Sequence, residues 1–538
     1  MIPIVNPKIE IIDYGPKMDL TNMGFPKLNP DQTISLAAKM TYKDKTAKEM
    51  AIEELEKAES LEEFNEQVKR DSYESIARGH ASLTTSSYLV AIAKGTSKLI
   101  DSMLTGIKFG SFLMPSGRRI PITLENIIYP ESLAKEPESL VGYLRCSEKN
   151  INFYKELIDK QITSKEEAAK IVQYGLSGGG FLVFPIESLY AYKQEFEDQK
   201  EFMPKEGLTI INKIIDQLKY TGQTISFSGK EISPRDSPSF PHPFTDPKKF
   251  DYLKLMRSVS GVPEEPTMKI ILNPMNNYFS KKIEDIHKFK EEKFKDLSLI
   301  EKDSTELDYI IRDLVREWNE SCLVEFLTSN SWRVWGEVKR HRTINQQVDS
   351  IYGATQKAIN KFKEVKSNID SGELNDEVIE DISKHFVIPS SLKQNNEYLK
   401  KWLSRISNSL DTYELMVNNG IPISDAIYII PRGIKLTILK QVGLRDLIGD
   451  GFYSLRLCGN AEPEIRQTSE KERALVKNSK LKSLSELMVP KCGSGICPER
   501  KCCGRIKQFI PDYTPEFHEE LHKKKFEKMK SLINKLNS

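Results

Sequence analysis

KRHRTINQQVDSIYG (339–353) is the stretch on which the reading of this chain turns. Arg340, His341 and Arg342 are consecutive, and Ser350 follows after seven intervening residues. Two guanidiniums offer fixed forks of N–H donors, and an imidazole adds to them. Such a group suits an anionic planar ligand, a nucleotide phosphate or the edge of a flavin ring, better than a packed interior. The alternative is a basic helix end running into a turn; the fixed serine spacing weighs against it.

Outward from there, a second segment stands out about a hundred residues on, LRLCGNAEPEIR (455–466). The two resemble the flavin-dependent thymidylate synthases, whose patterns are Arg-His-Arg-x7-Ser and, nearer the C-terminus, Leu-Arg-x4-Ala-x2-Glu-Ile-Arg. The resemblance implies reductive methylation of dUMP to dTMP with FAD, NADPH and methylenetetrahydrofolate. It also assigns roles. Arg340 would bridge flavin and nucleotide, His341 and Arg342 would hold the flavin, and Arg456 and Asn460 would reach it from the second segment. Ser350 would contact the nucleotide. Arg466 would hold the pyrimidine and stabilise the negative charge developing on it. Glu337 stands where the family usually has glutamine; a carboxylate there repels a phosphate unless an arginine intervenes.

The remainder of the chain divides around SFSGKEISPRDSPSFPHPFTDPKKF (226–250), whose prolines disfavour regular structure. The expected arrangement is a first repeat over 1–225, a Pro-rich linker over 226–260, a second repeat over 261–485 and a Cys-rich segment with a helix over 486–538. Each half follows the same plan, so the expected fold is α+β, two pseudo-symmetric, helix-flanked sheet domains of this family's type. The first half keeps Gly79-His80 and Ser116-Gly117-Arg118 but reads Thr105-Gly106-Ile107 where Arg-His-Arg belongs. The second half keeps Arg-His-Arg but has Leu314-Val315 near the Gly-His position, and Gln347–Tyr352 where Asn-Glu-x-Ser-x-Arg belongs. His80 would then face the flavin, and Ser116, Gly117 and Arg118 would cradle the nucleotide phosphate. Family members are homotetramers with sites built from several subunits. A fused pair would reproduce this as a homodimer with composite sites; the alternative is a non-catalytic or substrate-altered flavin- or nucleotide-binding paralogue.

Composition sets bounds. A chain of 538 residues has room for two or three domains. A net charge of +2 gives no general attraction to nucleic acid or membrane, and neither is expected as a partner. The N-terminus lacks a secretory pattern, so a cytoplasmic location is expected. Seven cysteines, an odd number, argue against a disulfide framework. Four crowd into KCGSGICPERKCCG: Cys492, Cys497, Cys502 and Cys503. Zinc or an iron–sulfur centre is one reading of them, and a reduced, metal-free loop or redox-labile pair is the other. The run 281–303 is expected as one solvated helix. Residues 517–537 are expected as an amphipathic helix, with His518 and His522 facing solvent.

Overall fold

The computed structural model describes residues 3–40, 42–77, 81–115, 120–232, 240–248 and 265–537. In the first half the strands are β1 (Lys8–Gly15), β2 (Tyr88–Ser97), β3 (Ser111–Leu113) and β4 (Ser177–Pro185). Its relevant helices are α1 (Lys98–Leu104), α2 (Pro137–Asp159), α3 (Ile186–Asp198) and α4 (Lys205–Thr221). The second half contributes β5 (Thr267–Leu272), β6 (Leu323–Ser331), β7 (Asn345–Val348) and β8 (Lys435–Gly443). Its relevant helices are α5 (Asn277–Lys293), α6 (Ile300–Trp318), α7 (Trp332–Val338), α8 (Asn396–Asn418), α9 (Phe452–Arg456), α10 (Pro463–Lys477) and α11 (Pro515–Asn537).

The two sheets have one topology. The strand orders are β1-β2-β4-β3 and β5-β6-β8-β7, antiparallel throughout. Each first strand carries one register irregularity, at Ile11/Asp13 and at Ile270/Leu272. The central strands β6 and β8 are buried along most of their length, as their apolar runs require. The edge strands β3 and β7 are short, which limits exposed pairing groups. The fold is therefore α+β with a repeated domain.

Packing divides the chain differently from its sequence halves. One unit comprises residues 1–251 with 349–434, and the other 252–348 with 435–538. In the first unit α2 and α8, helices of equal length from the two halves, lie against each other. Asn150 donates to Ser409 Oγ at 3.0 Å, and Phe153 stacks on Tyr398 with centroids 6.4 Å apart. The helix Thr224–Ile232 enters the proline-bearing segment, and Phe240 and Phe244 beyond it are buried.

In the second unit one core joins β6 and β8 to α5, α6, α10 and the cysteine-bearing loop. The run 281–303 is not one solvated helix. It spans the end of α5 and the start of α6, separated by an irregular stretch. Phe279, Ile283 and Ile286 of α5 recur at helical spacing and face that core, a stripe the dense charges concealed. No helix of the described residues is long and apolar enough to cross a membrane.

Candidate active site

Register locates the equivalent residues of the two repeats. Counted from the starts of β4 and β8, Glu206 matches Glu464. Counted from α1 and α7, Ser97 matches Ser331. Both pairs make the same lock. Ser97 caps α1 by accepting from the Ile100 N–H, while its own N–H donates to Glu206 at 2.6 Å and its hydroxyl donates to the same carboxylate. Ser331 caps α7 through the Val334 N–H, its backbone N–H donates to Glu464, and its hydroxyl donates to Glu464 at 2.7 Å. A carboxylate at the head of one helix thus fixes the start of another. In the second repeat that helix leads into Arg-His-Arg.

The same register corrects one expectation. The positions equivalent to Arg340, His341 and Arg342 are Gly106, Ile107 and Lys108, one residue later than Thr105-Gly106-Ile107. Only the helix boundary fixes this, since no residue of the first-repeat loop resembles the motif.

Beyond α7 the chain turns sharply. The His341 N–H bonds to the Val338 carbonyl, and the Gln346 side-chain amide spans both the Val338 and His341 carbonyls. Thr343 donates to Asp446, which also accepts the Phe452 N–H. Held this way, Arg340 and Arg342 are exposed and His341 is half-buried. The His341 ring sits edge-on to Phe452 at 4.9 Å, and its Nε2 accepts from Arg456 Nε at 3.0 Å. Burial, with help from Arg456 and Lys440, pushes its pKa down to about 3, so at neutral pH it is an acceptor. Glu337 is paired with Arg456 at 2.8 Å, the intervening arginine that a carboxylate here requires.

Behind this face lies a cluster that the sequence reading missed. Lys440, in the apolar run of β8, is completely buried with Glu472 at 2.7 Å, and Tyr453 donates to the same carboxylate at 2.7 Å. The Lys440 ammonium is 4.7 Å from the centre of the Phe452 ring. The available signal was a lysine inside TILKQV, which must find a buried partner.

Arg466 does not pair with Glu462 or Glu464 along its helix. It donates to the Gly459 carbonyl at 2.9 Å, while Glu462 caps α10 through the Ile465 N–H. Asn460 is exposed and its side chain reaches the Lys501 carbonyl at 3.5 Å. Ser350 packs with the first unit, where its hydroxyl donates to the Thr245 carbonyl. His80, Ser116, Gly117 and Arg118 lie outside the described residues. The structure therefore links Glu337, His341 and Arg456 directly, and secures Arg466 and Asn460 within the loop that follows Arg456.

The cysteines Cys492 and Cys497 are buried in the second core, Cys502 is half-buried and Cys503 exposed. Zinc finds no matching geometry: among the described residues, no three His, Cys, Asp or Glu side chains could together hold a single ion. His518 is not solvent-facing. It is buried, accepts from Tyr513 and donates to the Glu499 carbonyl at 2.8 Å; His522 reaches the Cys497 carbonyl at 3.1 Å.

The helix-flanked antiparallel sheet thus presents a guanidinium pair beside a neutral imidazole, a set whose chemistry suits an anionic ligand. Comparison with known sequences narrows it. Residues 269–479 match the family model described as thymidylate synthase complementing protein. The flavin-dependent thymidylate synthase of Pyrococcus horikoshii is 38% identical over 126 residues, covering 23% of this chain and 51% of that one. That of Pyrococcus furiosus is 32% identical over 125 residues, covering 22% and 50%. The matched part of the chain is similar to the flavin-dependent thymidylate synthases. The chain spans about half the length of these curated relatives. A crystal structure of a UMP/dUMP methylase PolB from Streptomyces cacaoi bound with 5-Br dUMP aligns over 44% of this chain, at 10% identity and a TM-score of 0.34.

Proposed function

We propose that this chain is a flavin-dependent thymidylate synthase-like enzyme that converts dUMP to dTMP with methylenetetrahydrofolate and NADPH. The observation that carries the reading is the exposed Arg340–Arg342 pair around a neutral, clamped His341, inside the segment that matches the family. The donor set suits FAD: two guanidiniums complement a pyrophosphate, and a fixed turn orients them. When bound, FAD would supply the redox chemistry.

The chain's own residues bind and align. Arg340 and Arg342 hold the anionic part of the flavin, with Arg340 also reaching the nucleotide. Arg456 holds His341 from behind and neutralises Glu337, so the face toward the ligand stays cationic. Arg466, steadied by the Gly459 carbonyl, holds the pyrimidine and stabilises its developing charge. His80, Ser116, Gly117 and Arg118 of the first repeat, with Ser350, supply the remaining contacts to flavin and nucleotide phosphate. The residue set is thus divided between repeats, and a homodimer takes the place of the family's homotetramer.

The test is visible absorbance of the purified full chain with added FAD. Bound oxidised flavin, bleached by NADPH and reoxidised faster when dUMP and methylenetetrahydrofolate are supplied with dTMP formed, supports the reading. A chain that takes up no FAD sinks it. Flavin reduction without dTMP formation would favour the substrate-altered paralogue.

A further inference from the structure

Helix α11 leaves the body of the second unit partway along its length. His518 and Leu521, in its first turns, are buried, and the His518 and His522 rings donate to the Glu499 and Cys497 carbonyls at 2.8 and 3.1 Å. From Lys523 to Asn537 every residue is exposed. That exposed half is apolar along one line. Phe526, Met529, Ile533 and Leu536 follow His518 and His522 at three- and four-residue steps, with Leu532 beside them. The spacing puts them on the face by which the helix is docked. This face thus continues past the body as a stripe of large apolar side chains in water, an arrangement that marks a binding surface.

Beside the start of the stripe, a groove of about 1110 Å³ opens between α11 and the loop that precedes it. Arg500, Lys501 and Lys507 line one wall, and His522, Lys523 and Phe526 line the other. The loop wall is fixed in place: Arg505 donates to the Leu457 carbonyl at 2.7 Å and pairs with Glu470 at 2.8 Å. Charge here is one-sided. Residues 500–537 hold ten Lys or Arg and five Asp or Glu, while the whole chain nets only +2. Of those acids, Glu520 and Glu527 are already paired within the helix, to Lys524 and Lys530.

We propose that this groove docks an acidic amphipathic helix of a partner protein, its apolar face on the stripe and its carboxylates toward Arg500, Lys501, Lys507 and Lys523. Charge and shape select this occupant. A second copy of α11 would bring six lysines and one glutamate over 523–537 against the same set, and like charges along a helix pair oppose association. A bilayer is flat, and the loop of residues 500–507 stands on the stripe's own side of the helix, so a bilayer would meet the loop first. A single helix is narrow, about 10 Å across, and can lie along the stripe beside the loop. The exposed half of α11 is about 22 Å long, which matches roughly four turns of such a partner. Apolar anchors then give the affinity, and opposite charge gives orientation and salt dependence.

A labelled peptide of about 18 residues, with leucines at helical spacing and glutamates on the remaining face, is titrated with the full chain and followed by fluorescence anisotropy. Binding that weakens about tenfold or more in Phe526→Ser with Ile533→Ser, in Lys501→Glu with Lys507→Glu, and on raising salt is the expected result. All four side chains are exposed, so both variants keep the fold, which circular dichroism checks. The same peptide with lysines in place of its glutamates should not bind. Failure of the acidic peptide to bind overturns the proposal, as does equal binding by the lysine peptide or undiminished binding by the Lys501/Lys507 variant. So does capture of phosphatidylserine vesicles in the peptide's place, or self-association in light scattering that the Phe526/Ile533 variant abolishes. No readout depends on flavin or dUMP, so this proposal and the synthase reading fail separately.

Discussion

The two repeats share a sheet and a serine–glutamate lock but fill the space around them with opposite chemistry. In the first, Ile107, Leu182 and Ile214 line one small apolar void of about 10 Å³. The equivalent positions in the second hold His341, Lys440 and Glu472. A buried ion pair contributes little to stability compared with well-packed hydrophobic residues, so the second repeat forgoes stability that the first retains. In exchange it has a buried positive charge that adds, after burial and Arg456, to what keeps His341 neutral. The sheet order is common to both; at these three positions polar side chains stand only in the repeat that carries Arg340 and Arg342.

The sharpest test of that contrast is to give the second repeat the first one's loop. Arg340→Gly with His341→Ile and Arg342→Lys should weaken FAD binding by well over tenfold, since each charge-assisted hydrogen bond is worth about 1.5–3 kcal/mol. Fluorescence titration of FAD measures this, and unchanged affinity would detach the motif from the flavin.

Next in size is the interior. Lys440→Leu alone strands the Glu472 carboxylate and should cost about 3–5 kcal/mol in urea unfolding. Adding Glu472→Ile, which completes the first repeat's apolar pair, should recover most of that loss. If the double variant is as unstable as the single, the two interiors are not interchangeable.

Smaller effects are expected at the shared lock. Ser331→Ala removes a cap and a partner of Glu464, costing about 1 kcal/mol. Ser97→Ala should cost about 2 kcal/mol by the same assay, because Glu206 is buried and its carboxyl is left less satisfied. Equal losses would mean that burial does not distinguish the locks.

The mildest signature is pH. Burial raises Glu206 to about 7 from 4.5, so the folded state holds a proton that the unfolded state releases. Its contribution is full below pH 4.5 and is lost as pH rises through about 7. His341 is depressed to about 3 from 6.5, so its contribution is full above pH 6.5 and is lost as pH falls toward 3. Glu206→Gln and His341→Ile should each remove one of these opposing slopes from the stability profile. A profile unchanged by either variant would place both groups in ordinary surroundings.

Much of this was legible in the sequence. Arg-His-Arg and Leu-Arg-x4-Ala-x2-Glu-Ile-Arg both fall inside the segment that matches the family model, and the parallel plan of the halves anticipated two like sheets. What escaped depended on neighbours distant in the chain. Ser97 and Glu206 carry no joint signal until the fold apposes them, and neither do Lys440 and Glu472. The stripe of α5 was masked by interleaved lysines and glutamates, which whole-segment charge records and helical spacing does not.

One consequence follows from where residues 349–434 pack. The part of the second half between β7 and β8 is housed with the first. A gene cut anywhere in the proline-bearing segment would therefore yield one product missing a layer of its own interior and another carrying helices with nowhere to go. Such interleaving works like a ratchet in inheritance. Once two copies share interior material, mutation can specialise either one, but separating them again demands that both be rebuilt at once.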